Sequence, residues 1–149
     1  MDTALEFFHS LLRWAVLLAL VVAAGAAWRG YFTKGPIIVL ERLITIVAMV
    51  LCHVQLVIGA ALYGLRFSTF NDRFEATPDL MRFWKMEHIS GMILAIVLVT
   101  MGRVLSKKAR SEAGKQLRVA IFYTLGLLII LAMIPWPFMA KFAHAYGWL

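Results

Sequence analysis

At 149 residues, with 62% hydrophobic side chains, 15% charged and a mean hydropathy of +0.83, the chain carries more apolar surface than a globule of its size can hide from water. That excludes an ordinary soluble domain and makes lipid the solvent for much of it. The formal charge of +7 is assigned to loops on one side of a membrane rather than to a nucleic-acid surface. The single cysteine, Cys52, lies in an apolar run and leaves no disulfide framework, no zinc-type CxxC pair and no CxxCH for covalent cofactor attachment. P-loop, GxGxxG and HExxH patterns are also missing.

Four apolar stretches, roughly 7–28, 39–63, 83–104 and 119–140, each approach the ~20 residues that cross a hydrocarbon core as a helix. They predict an all-α, single-domain transmembrane four-helix bundle. The first stretch follows an acidic start, Met1-Asp2-Thr3-Ala4-Leu5-Glu6, which reads as a retained segment and not as a signal peptide. It holds Ala15, Ala19, Ala23 and Ala26, a narrow stripe on which another helix can pack closely. His9 and Arg13 stand one turn apart beside that stripe. The second stretch contains His53, with Gly59 and Ala60 two turns further on. The third is apolar without interruption only from Ile89 to Gly102, and its extension carries Lys85, Glu87 and His88. The charged run 105–118 reads as a loop. Pro135 and Pro137 terminate the fourth helix, and His144 follows it.

Arg29, Lys34 and Arg42 flank one connection, and Arg103, Lys107, Lys108, Arg110, Lys115 and Arg118 another. The segment 66–87 balances its cations with acids, and both termini carry few. The positive-inside rule therefore predicts an N-out, C-out topology, with the two basic connections in the cytoplasm.

Ionisable residues within such helices are costly unless they face the bundle, pair or bind something. The candidates are His9, Arg13, His53, Glu87 and His88. Counted inward at ~1.5 Å per residue, His9 lies about 3 Å, His88 about 8 Å and His53 about 15 Å from the outer boundary. Neutral imidazole is an axial ligand of haem iron, and facing helices of a bundle can hold two of them across a flat macrocycle. Gly91, three residues after His88, and Gly59 would leave room for that ring. Arg13 can pair with a propionate, snorkel to headgroups or bind Glu87. The same histidines can also serve as interhelical hydrogen-bond partners.

The strings His9-Ser10-Leu11-Leu12-Arg13-Trp14, His53-Val54-Gln55-Leu56-Val57-Ile58-Gly59, Glu87-His88, Thr100-Met101-Gly102-Arg103 and Ile134-Pro135-Trp136-Pro137-Phe138 resemble a family of small bacterial four-helix membrane proteins described as cytochrome b-like. The likeness covers nearly the whole chain. It implies a haem b held by helix histidines, matching His9, His53 and His88 here. The chain is also distantly similar to di-haem b-type cytochromes that exchange electrons with quinone or superoxide. Those use four buried histidines, whereas His144 falls beyond helix 4.

The expected function is electron transfer through one non-covalently bound haem b, with His53 and His88 as axial pair and His9 in reserve. A quinol or a larger respiratory complex would supply electrons. The alternatives are a cofactor-free accessory subunit of a larger membrane complex, and copper handling by His9, His53 and His88.

Overall fold

The computed structural model describes residues 2–69, 77–136, 138, 139 and 142, with backbone alone for Asp2 and Thr3. His144, Pro137 and the charged residues Asp72, Arg73 and Glu75 lie outside the described residues. Among the described residues there are four long helices: α1 (Asp2–Thr33), α2 (Val39–Arg66), α3 (Pro78–Lys108) and α4 (Glu112–Met133). Each is long and apolar enough to cross a membrane. Even α4, the shortest at 22 residues, spans ~33 Å, against a hydrocarbon core of ~30 Å. The chain is an all-α, multi-pass membrane protein.

Two boundaries differ from expectation, each for a local reason. α4 begins at Glu112, inside the charged run read as a loop, so the α3–α4 connection is only residues 109–111. Ser111 caps this helix: its Oγ accepts from the Gly114 N–H at 3.1 Å, while Glu112 favours the positive end of the helix and pairs with Lys115. α4 ends at Met133 instead of running to 140. Ile134 precedes Pro135 and takes an extended conformation, φ −74° and ψ 130°, because proline's ring disfavours α geometry in the residue before it.

The helices form a ring in which α1 packs on α2 and α4, α4 packs closely on α3, and α2 meets α3 more lightly. Small residues permit the close α3–α4 crossing. A Cβ on Gly102 would lie 2.6 Å from Phe122 Cβ, and one on Gly126 would lie 2.7 Å from Val99 Cγ2 and 3.1 Å from the Ala95 carbonyl oxygen. Lipid tails are as apolar as leucine, so such steric fit replaces the hydrophobic drive that joins helices in water. On α1 the buried face is Val16, Leu20, Ala23 and Ala27. It shares only Ala23 with the expected stripe; Ala15 is exposed and Ala19 and Ala26 are half-buried. Leu18, Val57 and Leu128 face outward, as a lipid-solvated surface requires.

Polar bonds fix the register. Tyr123 is fully buried, and its hydroxyl donates to the Thr45 carbonyl at 2.7 Å, tying α4 to α2. Trp28 Nε1 donates to Thr124 Oγ1 at 3.0 Å between α1 and α4. The α1–α2 link turns at Lys34, whose φ of 53° places a non-glycine residue in the left-handed region at a helix end.

The ring has two chemically distinct ends. The start of α1, the end of α2, the start of α3 and the end of α4 form the histidine end. The opposite termini form the basic end.

Candidate functional site

At the histidine end, the sequence Pro135-Trp136-Pro137 determines a local problem in hydrogen bonding. In a continuing α-helix the Leu131 and Met133 carbonyls would accept from the N–H groups of residues 135 and 137, and both are prolines, which have none. Two side chains take their place. Trp136 Nε1 donates to the Leu131 carbonyl at 2.8 Å. His88, reaching from α3, places Nδ1 2.9 Å from the Met133 carbonyl. With the carbonyl as acceptor, Nδ1 carries the proton and Nε2 keeps its lone pair.

His88 immediately succeeds a π-helical segment, Phe83–Glu87. Such a segment inserts extra backbone into the helix and re-aims the side chains beyond it. It also displaces carbonyls from the regular ladder, and the Tyr63 hydroxyl of α2 donates to that of Lys85 at 3.1 Å. Phe83 and Trp84 pack beside the His88 ring at centroid distances of 5.7 and 5.3 Å.

His9 comes from α1. Its backbone carbonyl accepts from Gln55 Nε2 of α2 at 2.7 Å. Its imidazole lies over Gly59: a Cβ there would stand 3.0 Å from His9 Cε1. His9 Nδ1 is buried and has no hydrogen-bond partner among the described residues. His9, Arg13 and His88 lie within electrostatic reach of one another. The Arg13 guanidinium also sits 5.3 Å from the Trp14 ring centroid. Glu87 pairs with Arg82 at 2.6 Å, and Glu6 with Arg66.

His53 is elsewhere. Its Nδ1 lies 2.8 Å from the Met49 carbonyl one turn back, its Nε2 3.4 Å from Thr100 Oγ1 on α3, and its side chain is exposed. Thr100 is twelve residues beyond His88 on the same helix, about 18 Å along the axis. Metal–imidazole bonds are about 2 Å long, so His53 and His88 do not reach one iron in this arrangement. The expected axial pair is corrected on that ground. Nor do His9, His53 and His88 converge on one ion; among the described residues no group of three or more His, Cys, Asp or Glu side chains does.

The two glycines expected to clear a cofactor serve particular neighbours. Gly59 accommodates the His9 ring, and a Cβ on Gly91 would lie 2.6 Å from Met133 Cγ and 2.8 Å from its Sδ. Thus the space beside His88 is filled by a flexible thioether. Sequence reasoning missed Gln55, Tyr63 and the Met133 carbonyl. A signal for the last existed in the spacing of Pro137 four residues after Met133.

No family model, curated protein or solved structure matches the chain.

Proposed function

We propose that this protein is a bacterial inner-membrane electron carrier in which His88 and His9 would hold one haem b non-covalently. The observation that carries the reading is the 2.9 Å contact between His88 Nδ1 and the Met133 carbonyl. Metal-bound histidines characteristically donate their other ring N–H to a carbonyl or carboxylate, which fixes tautomer and orientation and raises ligand basicity. Three further features suit the group: the unpartnered buried nitrogen of His9, the glycine beneath its ring, and a yielding methionine beside His88.

When bound, haem b supplies a one-electron ferrous–ferric couple. The chain's own residues do the rest. His88 is oriented by α4, His9 by the packing of α1 on Gly59, and Phe83 and Trp84 exclude water from the His88 side. Arg13 contributes positive charge that favours the reduced state and pairs with a carboxylate. Electrons come from a quinol or a redox partner. The basic end faces the cytoplasm, so both termini and the histidine end face outward.

Absorption spectroscopy tests this reading. Protein produced with a haem supply should carry a Soret band, and acidified organic solvent should extract the pigment because no CxxCH anchors it. His88→Ala and His9→Ala should each lose most of that band at equal folded yield, and His53→Ala should keep it. A well-folded, haem-supplied preparation without a Soret band overturns the proposal. It would favour the second reading, a cofactor-free accessory subunit docking through α2, the least covered of the four helices. Cysteine labelling should place residues 109–111 inside; labelling there from outside would invert the orientation.

A further inference from the structure

We propose that the basic end carries a second, independent site, which binds a phosphate ester bearing a neighbouring hydroxyl group, the chemistry of a phosphatidylglycerol headgroup. The basis is a cleft of about 270 Å³ between the inner ends of all four helices. Arg42, Arg103, Lys107 and Lys115 line it against one carboxylate, Glu41. That carboxylate is committed elsewhere, to Arg29 at 3.0 Å and to the Ile38 N–H at 3.2 Å. Lys115 is likewise held by Glu112. Among the described residues, Arg42, Arg103 and Lys107 form no ion pair, and although Arg42 lies within electrostatic reach of Glu112, cations outnumber acids at the cleft.

Two buried polar atoms in this wall lack partners among the described residues: Arg103 Nε and Gln116 Oε1. Gln116 is only 3% exposed. It fits because Gly30 has no side chain to displace it, and its Nε2 donates to the Gly35 carbonyl at 3.2 Å. That leaves the Oε1 acceptor unsatisfied. An orphaned buried donor and acceptor are each costly, and beside a charged cleft they are groups that a ligand can satisfy. Arg103 calls for an anion. Gln116 Oε1 calls for a hydrogen-bond donor, which an ionised phosphodiester cannot be, and in a cleft lined by more cations than acids a neutral hydroxyl carried close by suits it better than an ammonium group. The lining also includes Ala23, Ala26 and Ala27 of α1, an apolar surface that suits the glyceride side of a lipid. Basic pockets between membrane helices on the cytoplasmic side are known headgroup sites.

The test is native mass spectrometry of the full chain in detergent, titrated separately with phosphatidylglycerol, phosphatidylmethanol, phosphatidylcholine and glycerol 3-phosphate. Phosphatidylglycerol should bind about tenfold more tightly than phosphatidylcholine, and Arg103→Gln should remove about that factor, in line with one charged hydrogen bond. Phosphatidylmethanol, anionic but without the hydroxyl, should bind severalfold more weakly than phosphatidylglycerol. Lys108→Gln removes a neighbouring charge outside the cleft and should change little. Arg42 is at the exposed rim, so Arg42→Gln provides a reading if Arg103→Gln fails to fold. Glycerol 3-phosphate bound with the same arginine dependence would support the chemistry and assign it to a soluble ester. Equal binding of phosphatidylglycerol and phosphatidylcholine, or equal effects of Arg103→Gln and Lys108→Gln, would overturn the site.

Discussion

The two ends of the bundle bury polar groups in different ways. At the histidine end, acids and bases pair with one another, Glu6 with Arg66 and Glu87 with Arg82, and the imidazole of His88 answers a carbonyl that a proline leaves open. Both ends bury atoms without a partner among the described residues, His9 Nδ1 and Gln55 Oε1 at the first and Arg103 Nε and Gln116 Oε1 at the second, but at the basic end arginine and lysine outnumber the acids that meet them. At the first end one imidazole is oriented from behind by a carbonyl. The second is an open charged cleft whose geometry asks for something from outside. Packing obeys the same division: the glycine beside His88 faces a flexible methionine side chain, whereas the glycines deeper in the α3–α4 seam face a phenylalanine Cβ, a valine and backbone.

That contrast can be broken by volume. Gly126→Leu should be the most damaging change, costing about 3 kcal/mol or more, since neither Val99 nor the Ala95 backbone can withdraw. Loss of the folded state in a detergent-unfolding titration would show it. Gly102→Ala should cost about 1–3 kcal/mol against Phe122 Cβ, while Gly91→Ala, whose obstacle is the Met133 thioether, should cost less than about 1 kcal/mol. Equal penalties at the two glycines would mean that the histidine end is as rigid as the seam. Between those two glycine penalties, Tyr123→Phe strips one bond from the Thr45 carbonyl and should lower stability by about 1–2 kcal/mol.

Much of the fold is legible in the sequence because membrane helices announce themselves by long apolar runs, and all four do so here. Their ends are less so. The charged run 105–118 looks like a loop by composition, but Ser111 and Glu112 are a helix start, and that local chemistry prevails over charge density. The apolar pattern likewise extends helix 4 past Pro135, where the backbone of Ile134 cannot continue. For the site, residue type points to His9 and His88 as residues at one end, but depth counted along separate helices does not say which faces meet. Arg13 and His9 are adjacent by spacing alone. His53 escapes correct placement because helix 2 offers no sequence mark that its side chain turns toward Thr100 rather than His88. The π-helical segment before His88 is also invisible to a 3.6-residue periodicity, although it sets where that imidazole lies.

The most direct test of the axial assignment is the dithionite-reduced absorption spectrum of His53→Ala beside those of His88→Ala and His9→Ala, each purified at equal folded yield from haem-supplied cells. His53→Ala should keep a normal low-spin b-type spectrum, with the Soret band reduced at least about tenfold in the other two, because losing a ligand to iron removes the main hold on a non-covalent haem. Loss of the haem from His53→Ala, with a normal spectrum retained by His9→Ala, would contradict that assignment.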